Sequence, residues 1–286
     1  MALTRGNPVG AVALLNHLDP NRGSFTGISP ARGEDAAVIG QMVYTPGDRS
    51  ARVSFLTPGD DLDQPGLPAL LESLAVQAGS WGACHLLAEV EESAPALELV
   101  RRAGFNIYGR QTIWRFTSPQ RGATALEWQP ATPVGENLAR SLYQQLVPPL
   151  VQTAEPFAPG KQRILFRQEN ELLAYAEITS GVQGIYVQPI IHPGAKNIEG
   201  LLAGLLSRLP PANLRPVYLA VRSYQAWLDA PLSRLGGESA ADQALLVKHL
   251  TVLQRATILA RQPAREVFKP ADASVPVAQH TTIHNN

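Results

Sequence analysis

The feature that most constrains this chain is a repeat. The block Leu70–Phe116, LLESLAVQAGSWGACHLLAEVEESAPALELVRRAGFNIYGRQTIWRF, is followed about 132 residues later by a stretch with the same order of apolar runs, turns and helix ends. At that constant shift Leu70 meets Leu202, Leu74 meets Leu206 and Ala88 meets Ala220. Arg102 meets Arg234, Gly104 meets Gly236 and Gln111 meets Gln243. A period this long exceeds any solenoid unit, so it predicts two copies of one small domain. The length of 286 residues agrees with roughly two domains.

Composition narrows the function classes. Apolar residues make up 45%, enough for two cores, and 24 basic residues balance 24 acidic ones. A neutral chain offers no field for a polyanion, so nucleic acid is not an expected partner. Cys84 stands alone, which leaves no intrachain disulfide and no cysteine zinc site. The start, MALTRGNPVGAVALL, lacks the basic lead and long apolar core of a signal peptide, and no run is long enough to span a bilayer. The expectation is a soluble cytoplasmic protein with no membrane contact.

In copy one, Ala36–Tyr44 and Ala51–Thr57 read as a hairpin around Thr45-Pro46-Gly47-Asp48. An acidic loop carrying Asp60, Asp61 and Asp63 follows, then leucines at helical spacing from Leu67 to Leu74. Cys84–Val90 reads as a buried strand, Pro95–Ala103 as a helix capped by Ser93, and Ile107–Phe116 as a strand broken at Gly109. Copy two repeats the order. Gln162–Arg167 and Leu172–Ile178 form a hairpin, and Gly184–Ile191 a strand leading into the loop His192–Asn197. Ile198–Leu209 is a helix, Pro216–Arg222 a strand, Tyr224–Arg234 a helix interrupted at Pro231, and Ala244–Val252 the closing strand. The boundaries predicted are domain one at 1–118, a linker at 119–133, domain two at 134–262 opening with the helix Val134–Leu146, and a disordered tail at 263–286.

This order of hairpin, strand, loop, helix, strand and helix, then a strand after a Gly-Phe step, resembles the GNAT (GCN5-related N-acetyltransferase) fold. The residues that carry the resemblance are Ala83–Trp114 with the step RRAGF, and VQPIIHP followed by a leucine-rich helix in copy two. It implies an α+β fold class: two tandem GNAT-like domains, each a mixed, mostly antiparallel sheet flanked by helices. It also implies acetyl-CoA as cofactor and an amine as acyl acceptor. In that family the loop before the helix presents backbone N–H groups to the pyrophosphate, helped by the helix dipole.

The motifs of the resemblance are degenerate. Copy one offers three carboxylates where a pyrophosphate would sit, each repelling it by roughly a kcal/mol. In copy two Lys196 falls where the family places Arg, but Asn197, Ile198 and Glu199 follow and Gly200 arrives one place late. The phenol that protonates the leaving thiolate is replaced by Val100 and Leu232, and the pantetheine-holding Asn by Ser93 and Gln225. The cofactor-binding residues implied for copy two are Val187, Gln188, His192, Gly194, Ala195, Lys196, Asn197 and Gln225.

Glu89, with Glu91 and Glu92, is either a general base for an amine or part of a solvated turn. Tyr108 is either a phenol in the cleft or packing, and His192 either faces a ligand or has no task. The six histidines make no metal-ligand spacing, and His280 and His284 fall in the tail. The arginines at 101, 102, 110 and 115 resemble a basic patch, but 102 and 110 are balanced by the neighbouring acidic run, so they read as solvated helix and strand faces. Two functions remain. One is an acetyl-CoA-dependent N-acyltransferase with copy two as its competent half, the acceptor entering from the loops after Arg222 and before Ala244. The other is a catalytically inactive GNAT-fold protein, a pseudoenzyme that binds a ligand or peptide. Fewer residues before the first hairpin of copy one predict an abbreviated start and a sheet edge needing a cover or a second copy, as in a homodimer.

Overall fold

The structure, a computed structural model, describes residues 23–29, 37–57, 66–117, 126–209 and 215–250. The acidic loop of copy one, the end of copy two beyond Leu250 and the tail lie outside these residues. The element order begins β1 (Gly23–Ser29), β2 (Val38–Tyr44), β3 (Ser50–Thr57), α1 (Gly66–Ser80), β4 (His85–Glu91), α2 (Ala96–Arg102) and β5 (Asn106–Phe116). It continues with β6 (Gln129–Pro130), α3 (Pro133–Leu146), α4 (Pro149–Ala154), β7 (Arg163–Gln168), β8 (Glu171–Ser180) and β9 (Ile185–Ile191). The last elements are α5 (Ile198–Arg208), β10 (Val217–Arg222), a 3-10 helix (Ser223–Leu228), α6 (Asp229–Arg234) and β11 (Glu238–His249).

The two copies do not hold separate sheets. The eleven strands of the described residues form one sheet in the order β1-β2-β3-β4-β11-β5-β10-β9-β8-β7-β6. The last strand of each copy is exchanged: β11 lies beside β4 of copy one, and β5 lies beside β10 of copy two. The exchanged strands pair with each other, and Gln111 faces Gln243. The amide Nε2 of Gln111 donates to Oε1 of Gln243 at 2.8 Å, so a local two-fold axis passes between two residues 132 apart. Even the irregularities obey it. The register slips at Ser239/Ala241 and at Leu245/Leu246, leaving Ala240 and Tyr108 as bulged residues at equivalent places. An extra residue at a bulge re-aims its side chain. Only copy one uses this, because the equivalent of Tyr108 is an alanine.

The repeat is exact at the axis and slips away from it. Ala220 pairs with Ile113, whereas Ala88 pairs with Leu246. The equivalent of Ile113 is Leu245, which pairs with Glu89, so Glu89 and Ala220 are the true counterparts. Matching Ala88 to Ala220 is thus wrong by one residue, and one residue moves a side chain to the other face of a sheet.

One face is covered by α1 and α2 in copy one and by α5 and α6 in copy two. Leu70, Leu71, Leu74 and Val100 pack there with Leu86 and Leu246, and Leu201, Leu202 and Leu205 with Val187, Val217 and Leu219. The opposite face is covered by α3 and α4, where Ala139, Leu142 and Val151 meet Leu87, Tyr108, Tyr175, Ile190 and Leu245. Residues of both copies share this third core.

Several boundaries differ from the sequence reading. β1 was not anticipated, because GSFTGIS lacks a clear apolar alternation; it restores a three-stranded start to copy one. The segment expected as one helix over Tyr224–Arg234 is a 3-10 helix up to Leu228 followed by α6; its non-helical residue is Gln225 and not Pro231, which is tolerated in the first turn of α6. Ser93 makes no cap; Pro95 is the N-cap of α2. β11 begins at Glu238, so Ala244 sits inside a strand and no acceptor loop ends there.

The stretch read as a linker is structural from Leu126 onward. Trp128 is fully buried, its Nε1 donating to the carbonyl of Leu201 at 2.9 Å. Leu126 N donates to Gly200 O at 3.1 Å, and a Cβ on Gly204 would lie 2.0 Å from the Leu126 carbonyl. Glycine is required at 204 because the segment crosses α5 in backbone contact. Trp128→Ala should therefore lower unfolding stability by about 3–5 kcal/mol. Urea denaturation checks this, and a mere connector would shift by under about 0.5 kcal/mol.

Candidate functional site

Where parallel strands part, backbone groups lose their ladder partners. β9 and β10 pair only at Ile185, Tyr186 and Val187, then diverge into a wedge. Ile185 N donates to Pro216 O toward β10, while His192 N donates to Leu173 O toward β8. Alternation then turns the peptide groups of Val187, Pro189 and Ile191 toward the wedge. A proline inside a central strand would cost a ladder hydrogen bond, but Pro189 faces a place that has no partner strand. Its position marks the splay, and it leaves the strand without an N–H donor there. β3 and β4 part in the same way after Arg52 and Leu87, and Ser54 adds a bulge in β3.

The end of β10 reaches across the wedge twice. Gln225 donates Nε2 to the Ile191 carbonyl at 2.9 Å, and Arg222 donates Nη2 to Gln188 Oε1 at 3.4 Å. Both residues are buried. Nε and Nη1 of Arg222 and Oε1 of Gln225 make no hydrogen bond among the described residues. Two cationic donors and one acceptor thus stand uncommitted at one wedge, a costly arrangement unless something polar meets them.

On the α3–α4 face a single carboxylate organises the surroundings. Glu155 follows the last residue of α4 and is one-tenth exposed. It pairs with Arg222 Nη2 at 2.7 Å and Arg52 Nη2 at 3.1 Å, and accepts from the hydroxyl of bulged Tyr108. Tyr143 donates to its backbone carbonyl. Burial alone would raise the Glu155 pKa, but the two guanidinium groups and the Tyr108 hydroxyl outweigh it and hold the carboxyl at about 2. Burial and the neighbouring Glu155 push the Tyr108 phenol well above its usual value. Neither group removes a proton at neutral pH. Arg52 also reaches Glu89 at 3.4 Å, so Glu89 belongs to this network and is one-quarter exposed.

Beside this network lies a cavity of about 300 Å³ between the two copies. Copy one contributes the β2–β3 turn and the start of β3, from Gly47 to Arg52. Copy two contributes Gln188 and Ile190 of β9, Tyr175 and Glu177 of β8, Tyr143 of α3 and the segment after α4. Gln188 joins cavity and wedge, since it lines the first and accepts from Arg222 across the second.

The loop of copy two is closed on itself. Gly194 N donates to His192 Nδ1 at 3.0 Å and Ala195 N to His192 O at 3.0 Å. Lys196 N donates to Gln168 Oε1 at 3.3 Å, and its ammonium forms an exposed pair with Glu169 at 3.2 Å. Asn197 takes a left-handed conformation and accepts from Gly200 N at 3.0 Å, capping α5. Glu199 pairs with Arg234 at 2.6 Å. Of the residues singled out in copy two, Val187, Gln188 and Gln225 meet at the wedge. His192, Gly194, Ala195, Lys196 and Asn197 form the loop at its far end.

This architecture is matched among solved structures. A GCN5-related N-acetyltransferase from Kribbella flavida superposes with a TM-score of 0.54 at 18% identity, over 84% of this chain and 95% of that one. The fold is that of the GNAT acetyltransferases. A tandem GNAT protein from the clavulanic acid biosynthesis pathway gives 0.47 at 16% identity over 87% and 92%. A GCN5-related N-acetyltransferase from Sphaerobacter thermophilus gives 0.49 at 13% over 85% and 87%. No protein-family model and no curated protein matches the sequence. Among the described residues no helix is long and apolar enough to cross a membrane, and no cluster of metal-ligating side chains forms.

Sequence reasoning did not single out Arg52, Glu155 or Arg222 as functional. The available signal was an arginine closing an otherwise apolar strand, VYLAVR, which must find a buried partner. Arg110 and Arg102 do pair with Glu92 and Glu98, as expected of solvated faces.

Glu155→Gln would leave Arg222 without a carboxylate and Arg52 with Glu89 alone, and should cost about 3–5 kcal/mol at neutral pH. The folded pKa lies below the ordinary value of 4.5, so this contribution is full above pH 4.5 and is lost as pH falls toward 2. Denaturation midpoints at several pH values should show the gap between wild type and variant closing across that window.

Proposed function

We propose that the chain is a tandem pair of GNAT-like domains fused through exchanged strands, acting as an acetyl-CoA-dependent N-acyltransferase with copy two as the cofactor half. The observation that carries this reading is the β9–β10 wedge, bordered by the uncommitted donors of Arg222 and the uncommitted acceptor of Gln225. The bound cofactor would supply an activated acyl thioester. Pro189 withholds the backbone donor that β9 would otherwise offer, and Arg222 takes its place, presenting cationic N–H groups to a carbonyl oxygen. Gln225 Oε1 receives an amide N–H, the task the resemblance assigns to an Asn. Val187 and Gln188 line the route, and Lys196 at the loop adds the positive charge suited to phosphate.

Glu155 holds Arg222 in place and keeps it charged. Glu155 and Tyr108 remove no proton at neutral pH, so the site works by positioning an acceptor that arrives deprotonated or loses its proton to water. The acceptor occupies the cavity beside Gln188.

A second reading, a ligand-binding protein without transferase activity, is favoured by the loop of copy two. Its N–H groups at Gly194, Ala195, Lys196 and Gly200 are spent on internal acceptors, and a pyrophosphate would have to displace them.

A thermal-shift titration with acetyl-CoA separates the two. Ligand at a hundredfold excess over its dissociation constant should stabilise the chain by about 2.7 kcal/mol. Lys196→Glu and Gln225→Leu should each weaken binding roughly tenfold, the loss expected when a charge contact or buried hydrogen bond goes. No stabilisation at millimolar acetyl-CoA would overturn the acyltransferase reading in favour of the second.

A further inference from the structure

The cavity is a joint product of both copies: Asp48, Arg49 and Arg52 of copy one line it together with Glu155, Lys161 and Glu177 of copy two. Its two inner carboxylates are already neutralised. Glu155 lies between Arg222 and Arg52, and Glu177 accepts from Arg163 Nε at 3.0 Å. A bare ammonium entering here finds no uncommitted carboxylate at depth. Arg52 is different. Its side chain is one-third exposed and directs one terminal nitrogen to Glu89 and the other to Glu155. A guanidinium carries five N–H donors in a fork that suits a carboxylate, so donors remain. At the mouth, Asp48 and Arg49 are neighbours on the β2–β3 turn, and neither side chain makes a hydrogen bond or ion pair among the described residues. The walls supplied by Tyr143 and Phe157, with ring centroids 5.6 Å apart, are aromatic.

We propose that this cavity takes a zwitterionic amino acid, its carboxylate held by Arg52 and Arg49 of copy one and its amine turned toward Gln188 at the wedge. The identity of this ligand as acyl acceptor rests on the acyltransferase reading above; its recognition does not. An amino acid brings its own negative charge to the arginines and its own positive charge to the carbonyl-lined edge of β9, so both charges are met and the cavity stays neutral. A volume of about 300 Å³ suits one amino acid or a small derivative. Copy one then serves as the recognition wall of the copy-two site, and its own wedge need not bind anything.

The test is a calorimetric titration of the full chain with leucine and phenylalanine, with their decarboxylated amines, and with the matching acids that lack the amine. At least one amino acid should bind tenfold or more tightly than both its amine and its acid. Arg49→Gln, at an exposed position, should weaken that amino acid at least threefold, and Arg52→Lys should do so more strongly. Acetyl-CoA affinity in Arg49→Gln should be unchanged. Amines binding as tightly as amino acids, or no member of the panel binding, would overturn the inference. Failure of acetyl-CoA alone would overturn the acyltransferase reading and leave the amino-acid site standing. Failure of the amino acids alone would do the reverse.

Discussion

The pairing of β5 with β11 holds the rest of the molecule in place. Each strand ends one copy of the repeat yet completes the sheet of the other, so β4 and β10 are covered only because the exchange occurs. An open edge at either strand would expose a row of unpaired backbone groups in the middle of the apolar core. At the centre of the pairing two glutamine amides bond to each other, Gln111 buried at 3% exposure and Gln243 half-buried. The amide is well suited to an axis, since one group supplies both donor and acceptor. The consequence is mechanical. The described residues behave as one compact unit, and groups from both copies reach a shared face.

On that face one charge is decisive. Glu155 is carried by the short α4, which contacts β5. Its carboxylate draws together Arg52 from copy one, Arg222 from copy two and Tyr108 from the exchanged strand. Burying three charges is expensive, and mutual attraction offsets that cost only when the geometry is good. Here it is, apart from the two Arg222 donors left over. Such a leftover fits a site better than a scaffold, because a purely structural network gains by satisfying every donor.

Much of the fold was legible because the repeat, the leucine spacing of α1 and α5 and the apolar run of β4 each depend on local periodicity. The exchange was not legible, because pairing partners are set by tertiary contact and a shift of 132 is equally compatible with two closed sheets. The one-residue slip between Ala88 and Ala220 was hidden for a related reason: small apolar residues fill both faces here. Trp128, in a stretch rich in proline and threonine, looked like a connector because nothing local announces a backbone crossing at Gly204. Part of the candidate site could be read. Gln188 and Gln225 were found by resemblance, and Tyr108 by its place after the Gly-Phe step. Arg52, Arg222 and Glu155 lie far apart in sequence, and only the exchange brings them together. Pro189 was visible throughout; its meaning required knowing that the partner strand departs.

The central claim is that the β9–β10 wedge, and not the β3–β4 wedge, receives an acyl-CoA. Amide hydrogen exchange with and without acetyl-CoA tests it most directly, since it reports protection segment by segment. The account predicts slowed exchange at Ile191, whose N–H faces the wedge, and across Ser223–Leu228, with no change at Val53–Thr57 or Ala88–Glu91. Protection confined to the copy-one segments, or absent from both wedges, would contradict it.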